Sequence, residues 1–300
     1  MHPAPSIIAF TTLSGLGYGL AAVLGLGLLD AAALSTKVAH ILALLLVAAG
    51  LSASTLHLGN PQRAWRALSQ WRSSWLSREG VLAIVTFVPL LWSAWGAVVE
   101  DRYLPLPGLL GTLLSGVVVY CTAMIYASLK SVDAWHTPLT PLCYISFAAA
   151  GGFLLAGLFS GSAFVQILSL VFLVAAWVAK SFWWRRLAAL RPLSTPESAT
   201  GLGPVGQVRL FERPHMNENY LTREMGFRIA RKHAAKLQRL ALALGGLAPF
   251  VLVVGAVLAG GVPAIVLCAL AGLLFLVGIL AERWLFFATA RHAVMNYYGG

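Results

Sequence analysis

His57 and Glu79 bracket the segment LHLGNPQRAWRALSQWRSSWLSREG, which lies between two strongly apolar runs. Imidazole and carboxyl are the side chains best suited to giving and taking protons near neutral pH. Between them stand Arg63, Arg66, Arg72 and Arg78, three tryptophans (Trp65, Trp71, Trp75) and no acid. Tyr126 and Lys130 close a later apolar run, and Asp133 and His136 follow. Glu282 and Arg283 fall about 20 residues into the last run, so at about 1.5 Å per residue they reach the same side as His57. Acid, base and hydrogen-bond donors from four non-adjacent segments therefore meet at one depth. That set suits two-electron, two-proton exchange with a quinone. Such a site needs an apolar slot, a hydrogen-bonding group for each oxygen, and a carboxylate or imidazole to move protons.

Each residue also has a plainer reading. A histidine at a helix end can be an interfacial anchor. Glu79 can be a helix-start acid favoured by the macrodipole. Glu282 and Arg283 can form a structural pair. Trp65, Trp71 and Trp75 fit an interfacial aromatic belt as well as a docking face.

These residues require membrane-spanning elements to position them. Of the 300 residues, 59% are hydrophobic and 10% charged, and mean hydropathy is +0.81. Soluble domains are about a quarter charged, so the chain reads as an all-α, polytopic integral membrane protein. Eight runs reach the length of about 20 residues that a spanning helix needs: about 6–29, 37–58, 79–99, 106–129, 138–159, 162–182, 237–259 and 262–287. They make one membrane-anchor domain over 1–300. The start, MHPAPS, lacks a basic n-region, and the first run reads as a true span. Gly15 and Gly19 give that span a small-residue face for close helix packing.

Loop charge alternates along the chain. Four arginines stand in the loop after span two, Lys130 with Asp133 in the loop after span four, and the long basic loop 183–236 holds most of the remaining arginine and lysine. The positive-inside rule places that side, with both termini, in the cytoplasm. The first part of the long loop is rich in Pro, Gly and Ser. Its second part, NENYLTREMGFRIARKHAAKLQRL, reads as helix, either lying on lipid phosphate or serving as a docking arm.

Other classes are disfavoured. The midplane polar groups read as Ser, Thr, Tyr and Gln166, without the buried charges that mark ion pathways in a transporter. A haem b anchor needs imidazoles facing each other at one depth. His40 and His57 instead lie near opposite faces, and neither has an evident partner. Cys121, Cys143 and Cys268 are scattered, so no iron–sulfur cluster or metal site is expected in this chain.

The block Leu56-His57-Leu58-Gly59-Asn60-Pro61-Gln62-Arg63-Ala64-Trp65, followed by Ser77-Arg78-Glu79, resembles the membrane-anchor subunit of dimethyl sulfoxide reductase, within the wider group of polysulfide-reductase-type anchors. Phe10-Thr11, Thr137-Pro138 and Glu282-Arg283 with Phe286-Phe287 fit the same pattern, and the likeness covers nearly the whole chain. It implies a three-subunit enzyme of the bacterial cytoplasmic (inner) membrane. A molybdopterin catalytic subunit handles the substrate, and a four-cluster ferredoxin-like subunit with [4Fe–4S] centres carries electrons. The anchor exchanges them with menaquinone or ubiquinone. The family's quinol-site histidine and glutamate map onto His57 and Glu79. Arg63, Arg78, Tyr126, Glu282 and Arg283 are further candidates for the quinone site. The long basic loop resembles the branch serving cytoplasm-facing sulfite dehydrogenase, so either sulfite oxidation or dimethyl sulfoxide reduction fits.

Overall fold

The computed structural model describes residues 4–56, 60–190, 195–209, 211–212 and 229–298. Within these residues every regular element is helical. The main helices are α1 (Pro5–Gly25), α2 (Leu34–Thr55), α3 (Trp75–Glu100), α4 (Pro105–Ala127), α5 (Leu139–Ser160) and α6 (Ala163–Ala189). A short α7 (Pro196–Thr200) follows, then α8 (Ile229–Leu242), α9 (Ala248–Ala259) and α10 (Gly261–Ala288). Among the described residues, eight helices are long and apolar enough to cross a membrane.

The seventh of these contains a π turn, Ala243–Leu247, which joins α8 to α9 without a break. From Ile229 onward the basic stretch is therefore the extension of a span rather than a separate surface helix; residues 213–228 lie outside the described residues. At the loop's other edge, α6 continues to Ala189, past the expected end near 182.

Local chemistry explains the boundaries. Proline occupies the first turn of α1 and α4, where its missing N–H leaves nothing unsatisfied. Ser74 caps α3 by accepting from the Ser77 amide. The α5–α6 hairpin turns on Gly161, whose φ of 59° suits a residue without a Cβ.

Short connections make neighbouring helices antiparallel, so the bundle has two ends. The end bearing the start of α1 and the end of α10 is also the arginine-rich one. It is closed by the 129–138 connection, which folds back over the bundle. There Val132, Ala134 and Trp135 are buried, Trp135 Nε1 donates to the Phe286 carbonyl at 3.0 Å, and the Ala293 amide donates to Ser131 O at 2.8 Å. The opposite end is held by the Lys37–Asp101 ion pair and by Tyr103, whose hydroxyl donates to Gly25 O at 2.7 Å.

Helix α1 is the centre of the bundle. Its apolar window is 72% buried, against 33% for α2, and it packs on α2, α4, α5 and α10. Gly19 makes the α1–α5 contact possible, since a Cβ there would lie 1.9 Å from Ala148 O. Gly15, expected to share that role, does not: a Cβ there would meet nothing within 4 Å. It borders a small cavity between the helices instead.

Candidate functional site

Glu79 stands in the second turn of α3 and is 4% exposed. Its Oε1 has no hydrogen-bond partner among the described residues. An acid that only complemented the macrodipole would face water, so burial removes the plainest reading of Glu79. The walls around it come from the last turns of α4 and from α1. Cys121, Tyr126 and Tyr18 all lie within electrostatic range of the carboxyl. Trp75 meets Tyr120 edge-on, with ring centroids 5.9 Å apart, and pins the start of α3 to α4.

The segment before α3 lies across this site. Residues Pro61–Gln70 form a 3₁₀ helix. Ser77 ties it down by donating its hydroxyl to Ala67 O. Arg78 is a strap rather than a free cation. Its Nε donates to Trp71 O at 3.0 Å, its Nη2 donates to Arg72 O at 2.6 Å, and its guanidinium lies 4.3 Å from the Trp75 ring centre. Arg63, Arg66, Trp65 and Trp71 are exposed on the outer face. His57 lies outside the described residues, between Leu56, which ends α2, and Asn60, which begins the 3₁₀ segment.

Tyr126 sits in an aromatic cage. It stacks on Tyr144 at 5.9 Å and meets Trp135, Phe286 and Phe287 edge-on at 5.4, 5.7 and 5.2 Å. Behind this cage lie Glu282 and Arg283, which are 0% and 3% exposed. They are joined by Lys180, a residue that sequence pattern alone does not single out. Only 1% exposed, Lys180 brings Nζ to 2.5 Å from Glu282 Oε1, while Arg283 Nη1 is 3.4 Å from Oε2. Lys180 also lies 3.8 Å from the Trp183 ring centre, and Arg283 lies 3.8 Å from that of Tyr144.

Three charges are buried in the half toward the basic end, and His40 is buried toward the other. A signal for Lys180 existed. It lies inside the apolar run 162–182, and a membrane-embedded cation needs a partner.

The structure thus brings Glu79 and Tyr126 into one buried region and places Glu282 and Arg283 behind it, while Arg78 is half-buried at its edge and Arg63 is exposed. Among the described residues no three His, Cys, Asp or Glu side chains gather in a metal-binding group.

The model of the DMSO reductase anchor subunit (DmsC) family matches residues 1–289. The chain belongs to that family. It is also 34% identical to a sulfite dehydrogenase subunit of Allochromatium vinosum, over 99% of each chain. Membership of an anchor family, with eight apolar helices, makes this a multi-pass membrane protein and the anchor subunit of an oxidoreductase complex.

Proposed function

We propose that this anchor is the quinone-reactive subunit of a three-subunit molybdopterin oxidoreductase. The observation that carries the reading is Glu79, a buried carboxyl with an unpartnered oxygen beneath a basic, tryptophan-bearing segment. The residues present fit a quinone. Glu79 Oε1 offers a hydrogen-bonding and proton-accepting atom, and the Tyr126 ring with its cage supplies apolar aromatic surface within electrostatic range of it. His57, two residues beyond the end of α2 in the sequence, is proposed as the second polar partner.

A bound quinone supplies two-electron, two-proton chemistry. The protein's share is to hold the ring, keep bulk water out and move protons. Glu79 takes up or gives a proton at its carboxyl, and burial keeps that carboxyl from being solvated by water. Tyr126 is held in place by its cage. Glu282 and Arg283 lie one layer further in and act on the site through their field rather than by contact. Arg78 shapes the entrance by fixing the 3₁₀ segment.

The partners proposed are a four-cluster ferredoxin-like subunit with [4Fe–4S] centres, docked on the exposed Arg63 and Arg66 face, and a molybdopterin catalytic subunit beyond it. The positive-inside rule supports a cytoplasmic position for this face, in a bacterial inner membrane. Likeness to the sulfite dehydrogenase relative over nearly the whole chain favours sulfite as the partner's substrate, with electrons passing to the quinone. Dimethyl sulfoxide reduction, with the reverse flow, is the competing outcome.

The test uses the assembled complex with Glu79→Gln. Quinone-coupled turnover should fall at least tenfold, while turnover with an artificial dye at the catalytic subunit stays at the wild-type rate. Unchanged quinone kinetics would refute the site. Assay of the wild-type complex with sulfite and with dimethyl sulfoxide decides the substrate.

A further inference from the structure

The buried cluster does not balance its charge. Lys180 and Arg283 bring two positive charges and Glu282 one negative, which leaves a net charge of +1 in a region less than 4% exposed. Lys180 holds the closer contact to Glu282, at 2.5 Å, so Arg283 is the less compensated cation. Its Nη1 has only the 3.4 Å contact with Glu282 Oε2, and its Nε has no hydrogen-bond partner among the described residues.

Arg283 borders a cavity of about 20 Å³ between α1, α4, α5 and α10. A water needs roughly 10–15 Å³ by this measure, so the space suits one occupant somewhat larger than water. Thr12 and Tyr144 line it too, and their hydroxyls are buried without partners. Three unpartnered donors, one from each of three residues, thus lie around one space. Thr11, Ser14 and Thr122 complete the polar lining, with their protons on the carbonyls of Ile7, Phe10 and Val118.

We propose that this cavity binds a small monovalent inorganic anion of halide size, with chloride as the physiological probe. Water would meet the hydrogen bonds but leave the charge. An uncompensated buried charge costs far more than a hydroxyl rotated off its carbonyl, so the charge decides the occupant. A tetrahedral oxyanion is too large for the space. Two internal groups could supply the charge instead. Glu79 makes no ion pair among the described residues and stands on α3, which does not line the cavity. Cys143 is buried next to Tyr144, and its thiolate is the stronger rival. The site is separate from the quinone reading and is testable without quinone.

The full chain is purified in detergent and its unfolding temperature measured at fixed ionic strength in sodium chloride, bromide or gluconate. Both halides should raise it by about 2–4 °C over gluconate, saturably. The halide effect should vanish in Lys180→Met, which returns the cluster to neutrality with Glu282 left to Arg283, and should persist in Cys143→Ala. Equal unfolding temperatures in the three salts, or a halide effect that arises only in Cys143→Ala, would overturn the proposal. Crystals grown in bromide give a readout that needs no variant. An anomalous peak beside Arg283 and Tyr144 supports the site, and its absence sinks it.

Discussion

Lys180 on α6 and Glu282 on α10 are about 100 positions apart in the chain and meet at 2.5 Å, with neither side chain more than 1% exposed. Their contact sets the charge of the bundle interior, and the two partners are not equivalent. Removing Lys180 leaves one acid and one arginine, whereas removing Glu282 leaves two cations. Glu282→Gln should therefore destabilise the chain by about 3–5 kcal/mol, the cost of stranding buried charge. Lys180→Met should cost clearly less. Denaturant unfolding of the two variants in detergent compares them directly.

Glu79 should behave in the opposite way. Its Oε1 makes no hydrogen bond to lose, and Gln matches the carboxyl in shape. Glu79→Gln should leave the unfolding temperature at or slightly above that of the wild type. A drop of more than about 1 kcal/mol, the worth of a typical hydrogen bond, would show that the carboxyl is a structural acceptor.

The α1–α5 contact makes a paired prediction. At Gly19 an added Cβ would lie 1.9 Å from Ala148 O, so Gly19→Ala must push the helices apart and should cost about 1–3 kcal/mol. At Gly15 nothing lies within 4 Å, so Gly15→Ala should be neutral or stabilising by up to about 1 kcal/mol. Thermal unfolding of the two single variants would separate them.

The exposed arginines make a prediction about assembly. Arg63→Glu with Arg66→Glu should lower recovery of the iron–sulfur subunit with this chain. In the wild type, rising salt should weaken the same association, because exposed charges are screened within about 10 Å at 0.1 M. Recovery of the partner by pull-down across a salt series measures both. Salt-independent recovery would argue for an apolar docking face centred on Trp65 and Trp71.

Several of these features were legible from the residues alone. Eight apolar runs specify eight apolar helices, because a bilayer admits few other solutions. Glu79 was singled out by depth, although only the structure shows that it is buried. Lys180 was not legible, since its partner is about 100 residues away and spacing along one helix cannot reveal a contact between two. The closing connection was hidden for a similar reason. Lys130, Asp133 and His136 mark residues 129–138 as a polar segment at the depth of the site, yet Trp135 turns inward to the Phe286 carbonyl. Gly15 and Gly19 show the limit of motif reading: the same residue type, one turn apart, serves packing at one position and borders a cavity at the other.

The π turn at Ala243–Leu247 changes what the seventh span can do. An extra residue in the turn rotates everything beyond it by about 100° relative to an unbroken α-helix. Trp177 holds that rotation by donating its Nε1 proton to Gly245 O at 2.8 Å. One continuous rod therefore presents two independent registers. The side that α9 buries against its neighbours no longer dictates which side of α8 turns toward the surface, so the chain orients a basic arm without disturbing the packing beneath it.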